Sequence, residues 1–143
     1  MKKKVKRIEF FDGDYAFLSN FKGGVEQKFQ AAKSLDPVVQ KEILLLTAGG
    51  SKRRGNEIKL RPDWDEVKYQ VMLDLIREKF ARPAYGALLL ATGDAELVEG
   101  NTWHDNIWGV CVCGACKASG VKGNNCLGEI LMRVRSELRS KQG

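Results

Sequence analysis

The sequence predicts a mainly helical α+β fold: a single compact multihelical domain with a small β-sheet. Three observations predict it. Apolar residues recur at helical spacing in several stretches after residue 25. Strand-like patterning is confined to the start of the chain and to two short runs near residues 96–98 and 107–112. The chain has 143 residues, 43% of them apolar, enough to bury one core. No repeat, linker or low-complexity segment divides it, so residues 1–143 are read as one domain.

The elements follow in order. Val5, Arg7 and Glu9 fall on one phase and Ile8 and Phe10 on the other, a strand whose pattern Phe11 breaks. Asp12-Gly13-Asp14 is turn material. Gly23-Gly24 precedes a helix over Val25 to Ser34. Asp36-Pro37 starts another, carrying Val38 and Ile43 to Leu46, and Gly49-Gly50-Ser51 ends it. The strongest helix is expected from Pro62 to about Arg82. Pro62 suits a first-turn position, and Asp63, Asp65 and Glu66 place negative charge at the positive end of the helix dipole. Its stripe is Trp64, Val67, Val71, Leu75 and Phe80. A short helix over Ala84 to Ala91 ends at Thr92-Gly93, and Glu96 to Val98 and Ile107 to Val112 read as strands. Asn124 or Asn125 is expected to cap a last helix with Leu127, Ile130, Leu131, Val134 and Leu138 on one side.

No apolar run approaches the ~20 residues of a membrane helix. The basic start, MKKKVKRIEFFDGD, lacks the apolar stretch of a secretory signal. The expectation is a cytoplasmic protein with no membrane partner. The net charge is +6. Basic residues gather at Lys2, Lys3, Lys4, Lys6 and Arg7, at Lys52, Arg53 and Arg54, and at Arg133, Arg135, Arg139 and Lys141. Such clusters favour phosphate-bearing partners, and equally they make an ordinary solvated surface.

Three blocks carry residues that a core does not require: FLSNF (17–21), VEQKFQAAK (25–33) and EGNTWHDNIWG (99–109). On a helix, Glu26, Phe29, Gln30 and Lys33 share one face, so a carboxylate, an amide and an amine look into one space. Partial burial raises a carboxylate pKa and lowers an amine pKa, which suits a general acid or base and a nucleophile. The alternative is an exposed Glu and Lys on a surface helix. In the third block Asn101, Trp103, His104, Asp105, Asn106 and Trp108 suit a loop that stacks on a ring and reads its edge. His104, the only histidine, has no nucleophile and acid placed beside it by sequence. Asn20 can hold a turn or bind ligand. Lys52, Arg53 and Arg54, followed by Arg61, can cradle phosphate, although they match no phosphate-loop pattern.

Cys111, Cys113, Cys116 and Cys126 are spaced C-x-C-x2-C-x9-C. Four thiols so close can bind zinc, but only one C-x2-C knuckle is present, and reduced thiols in a hairpin loop are the default reading. Disulfides do not suit a reducing cytoplasm.

With these blocks and the segments DWDEVKYQVM (63–72), LLATGDAELVEG (89–100), DNIWG (105–109) and NNCLGEILMRVRSEL (124–138), the chain resembles the NADAR family, also called YbiA-like, from Ile8 to about Leu138. The resemblance implies a mostly helical domain and an N-glycosidase, which cleaves a ribose C1–base nitrogen bond. It implies as substrate either a phosphorylated ribosylaminopyrimidine of riboflavin synthesis or ADP-ribosyl-guanine in nucleic acid. By position it implies catalytic roles for Glu26, Lys33 and Asp105, and ligand-binding roles for Asn20, Trp64 and Trp108; Gln30, Arg53, Arg61 and Trp103 join the binding set. No cofactor or metal is expected. Two departures stand out. The family motif commonly has His after the Glu, where this chain has Gln27, and the stretch before the motif helix is only Lys22-Gly23-Gly24. The alternatives are a non-catalytic reader of ADP-ribose or nucleic acid, and a small zinc module.

Overall fold

The opening alternation builds β1 (Arg7–Phe10), with Ile8 and Phe10 buried and Arg7 and Glu9 exposed. The structure is a computed structural model and describes residues 6–142. Val5, read as part of this strand, and Lys2, Lys3 and Lys4 lie outside the described residues. Two compact units divide the chain: one is residues 20–79, the other the flanking segments up to Ser19 and from Phe80 onward.

The flanking unit holds the sheet. β1 pairs in parallel with β2 (Glu96–Asn101), Ile8 opposite Leu97 and Phe10 opposite Glu99. β2 pairs in parallel with β3 (Val110–Cys111), Asn101 opposite Cys111. β2 runs three residues beyond its expected end, and β3 is shorter than Ile107 to Val112. The reason is the loop before β3, where Asp105 accepts the amides of Ile107 and Trp108 in a turn instead of leaving them to a ladder. Between β1 and the rest, Asp12-Gly13-Asp14 opens a 3-10 helix, Gly13–Leu18, so Phe17 and Leu18 of the first block are helical.

One face of the sheet is covered by the last helix, Cys126–Gln142, which buries Leu127, Leu131 and Val134. A Cβ at Gly128 would lie 2.1 Å from the Leu97 carbonyl, so glycine is what lets this helix approach β2. Asn125 precedes the helix but its side chain does not cap it. With φ at 52°, it accepts the Glu99 amide at 3.0 Å and donates to the Leu97 carbonyl at 2.9 Å, stitching the helix start to β2. The short helix expected over Ala84 to Ala91 is present as Pro83–Ala91; it packs on the last helix, and buried Arg135 donates to Thr92 at its end.

The unit of residues 20–79 is helical. α1 is Val25–Ala32 and α2 is Pro37–Leu44, capped by Asp36, whose carboxylate accepts the Val38 amide at 2.9 Å. The expected stop at Gly49-Gly50 is instead the start of α3 (Ala48–Gly55). Glycine disfavours helix, but Thr47 caps this one by accepting the Gly50 amide at 3.1 Å, and α3 packs against α1 and α2. Lys52, Arg53 and Arg54 are therefore helical. α4 is Trp64–Ala81, and Pro62 lies before it, not in its first turn. Its buried stripe is Trp64, Met72, Leu73, Ile76, Lys79 and Phe80; Val67, Val71 and Leu75 are only partly covered. In chain order the Pro83–Ala91 helix is α5, and the last helix is α7.

α6 (Gly114–Ser119) replaces the hairpin loop expected around the cysteines. It starts where the Cys113 sulfur accepts the Cys116 amide at 3.3 Å and stops at Gly120 with φ at 73°. No helix among the described residues is long and apolar enough to cross a membrane.

Candidate functional site

The motif helix α1 is set by the block before it. Gly24 takes a left-handed φ of 80°, and the Asn20 carbonyl accepts the Glu26 amide at 3.0 Å. The Asn20 side chain is buried at its tip: Nδ2 points to the Met72 sulfur at 3.8 Å, and Oδ1 meets no donor among the described residues. On α1 itself Glu26 and Gln30 are buried, 6% and 4% exposed, and the Gln30 amide donates to the Glu26 carboxylate at 3.0 Å. Gln30 lies against Gly55 of α3, where an added Cβ would be 1.9 Å from its Oε1.

Lys33 follows the last residue of α1 and is half-buried. Its carbonyl accepts the Arg61 amide at 2.7 Å. Burial pushes its amine below the ordinary lysine value of 10.5; the Glu26 charge pulls it back up and the Lys52 charge pushes it down. Glu26, Gln30 and Lys33 are thus one electrostatic group, with Lys52 of α3 close enough to join it.

The remaining expected residues of this unit are placed differently. Trp64 is buried, 6% exposed, against the Phe29 ring at 5.1 Å. Arg61 makes a two-bonded fork to Asp63 at 2.6 and 3.0 Å, and that hydrogen bonding raises the Arg61 pKa and lowers that of Asp63. Arg61 also lines a cleft of about 490 Å³ with Ser34, Arg54 and Glu57, a cleft to which Glu26, Gln30 and Lys33 contribute no wall. Arg53 is exposed on α3. Gln27, where the family commonly has His, donates to the Leu46 carbonyl at 3.4 Å.

Trp103, Asp105 and Trp108 belong to the other unit, on the loop between β2 and β3. The loop is organised by its own side chains. Buried Asn101 accepts the Asp105 amide at 3.1 Å and donates to the Asp105 carbonyl at 2.7 Å. Asp105 Oδ1 accepts the Ile107 and Trp108 amides at 3.1 and 2.9 Å. Trp103 stays 39% exposed, edge-on to Phe11 at 4.7 Å. His104 lies beside three sulfurs, its Nδ1 3.3 Å from Cys116, 3.5 Å from Cys113 and 3.8 Å from Cys111.

Lys79 is a buried cation, 1% exposed, that the sequence reading passed over. The signal was available: it falls three residues after buried Ile76 and seven after buried Met72, on the true apolar stripe of α4.

Comparison with known proteins agrees with this architecture. Residues 16–139 match the NADAR domain model. The N-glycosidase YbiA of Escherichia coli (strain K12) is 39% identical over 117 residues, 79% of this chain and 68% of that one. The NMR structure of the E. coli protein YbiA is similar with a TM-score of 0.79 at 34% identity, over 99% of this chain and 89% of that chain. A riboflavin biosynthesis protein of Vibrio vulnificus (strain YJ016) is 34% identical over 149 residues, 92% of this chain and 38% of that protein. The chain belongs to the NADAR family, and it is an enzyme of the N-glycosidase class.

Proposed function

We propose that this enzyme hydrolyses the ribose C1–base nitrogen bond of a phosphorylated ribosylaminopyrimidine, with Lys33 and Glu26 of α1 performing the chemistry. The observation that carries the reading is the half-buried Lys33, its amine biased toward the neutral form, beside the buried Glu26–Gln30 pair. The riboflavin biosynthesis name of the Vibrio relative supports the choice of substrate.

In this reading the neutral Lys33 amine attacks C1 as the base departs with the electrons of the C–N bond. Glu26 passes a proton to the leaving nitrogen, and the carboxylate so formed stabilises the positive charge developing at C1. Opening of the ribose yields a Schiff base on Lys33, which water hydrolyses. Gln30 fixes the Glu26 carboxylate. Lys52 and Arg53 of α3 hold phosphate, because Arg61 is committed to Asp63. The unfilled acceptor Asn20 Oδ1 takes a donor from the substrate edge. Trp64 backs α1 through Phe29.

A second substrate, ADP-ribosyl-guanine in nucleic acid, is favoured by the net charge of +6 and by the run Lys52-Arg53-Arg54 on α3. Mass-spectrometric base release from each substrate, with wild type and Lys33→Ala, separates the two. Release that requires Lys33, with a borohydride-trapped adduct on that residue, is the expected result. Ligand binding with no release from either substrate would overturn the reading.

A further inference from the structure

We infer that His104, Cys111, Cys113 and Cys116 form a structural zinc site, closed by four protein ligands. Their donor atoms all lie within 4.8 Å of one another. Ligand bonds of about 2.3 Å to sulfur and about 2.0 Å to nitrogen, arranged as a tetrahedron, put nitrogen and sulfur about 3.5 Å apart. The three distances from His104 Nδ1 are 3.3, 3.5 and 3.8 Å. The nitrogen–sulfur distances thus lie within a few tenths of an ångström of a tetrahedral site, and the group is compact enough to close on an ion.

The backbone is shaped to the same end. His104 is one of two non-glycine residues with positive φ among the described residues, at 68°. That conformation carries strain, which the surroundings must offset. Here it turns the only histidine of the chain onto three thiols.

The outer contacts suit thiolates. Asn106 Nδ2 donates to the Cys116 sulfur at 3.6 Å, and the Cys116 amide donates to the Cys113 sulfur at 3.3 Å. The other end of the Asn106 amide accepts the Cys111 amide at 2.9 Å, orienting the whole group. Three soft sulfurs and an imidazole select zinc over magnesium or calcium. Four protein ligands leave no open position, which makes the role structural rather than catalytic.

The arrangement also revises the set that spacing offered. Cys126 opens α7 and is outside the group; a histidine from a loop takes its place. The ion would tie His104, inside the loop between β2 and β3, to β3 and the start of α6. It would thereby hold the segment that carries Trp103, Asp105 and Trp108. The proposal does not depend on the assigned reaction.

The test is metal analysis of the full chain, purified under reducing conditions and given zinc. The expected result is one zinc per chain, with an affinity of about 10 nM or tighter. Cobalt in its place should show the visible bands of a tetrahedral thiolate complex. His104→Ala and Cys116→Ser should lose the ion, His104→Cys should restore it, and Cys126→Ser should keep full stoichiometry with unchanged folding. Less than about half an ion per chain at micromolar free zinc would overturn the proposal. So would zinc that survives His104→Ala and vanishes with Cys126→Ser, or a disulfide among Cys111, Cys113 and Cys116 in protein kept reduced.

Discussion

The α1 face and the β2–β3 loop each gather polar side chains, but they hold them differently. On α1 the backbone satisfies itself, so Glu26, Gln30 and Lys33 are left to interact with one another and with α3. In the loop the side chains replace missing backbone partners: Asn101, Asp105 and Asn106 spend their oxygens on amides of their own segment. A helix presents reactive groups cheaply, whereas an irregular loop must first use polar groups to exist. The proposed chemistry therefore rests on the helix, while the polar groups of the loop first order their own segment.

The largest effect is expected on the helix. Glu26→Gln and Lys33→Ala should each lower turnover at least ~100-fold with the fold intact by circular dichroism. Near-normal rates in both would remove the distinction. Next comes Gly55→Ala. The new methyl drives the Gln30 amide off Glu26, and we expect about a tenfold loss of rate with a cost of about 1–2 kcal/mol in denaturant unfolding. Unchanged rates would mean that Gln30 does not set the carboxylate.

In the loop the expected loss is of stability. Asp105→Ala leaves two amides without their acceptor and should cost about 1–2 kcal/mol, while Asp105→Asn, which keeps an oxygen there, should recover most of it. Equal destabilisation by both would show that charge, not the turn, is what matters at that position.

Lys33 also predicts a pH dependence. Its folded pKa lies below the unfolded 10.5, so between the two values the unfolded chain binds more protons. The penalty for burying this ammonium is fully present below the folded pKa and is relieved as pH rises toward 10.5, so stability gains with pH in that window. Lys33→Met should flatten that gain, and the wild-type rate should fall as pH drops through the lowered value. A flat profile in both proteins would contradict a neutral amine. The smallest effect is expected at Lys28, whose ion pair with Glu78 is exposed. Lys28→Ala should change stability by less than about 0.5 kcal/mol and leave the rate unchanged.

Much of this was readable from the chain. The 3.6-residue period places Glu26, Gln30 and Lys33 on one face, because a helix converts spacing into geometry by a fixed rule. The Thr47 cap and α6 were not readable. Each is set by a hydrogen bond to a capping side chain that outweighs a poor local propensity. Pro62 misled for the related reason that a proline suits both a helix start and the turn before one.

The sequence by itself determined the family, the mostly helical class with its small sheet, and the composition of the α1 face. Those depend on local periodicity and on motif order, which the chain carries in full. Tertiary structure alone decided that Asn125 binds β2, that Lys79 is buried, and that His104 rather than Cys126 joins Cys111, Cys113 and Cys116. In each case a side chain finds its partner through loop conformation or packing, and neither leaves a period to read.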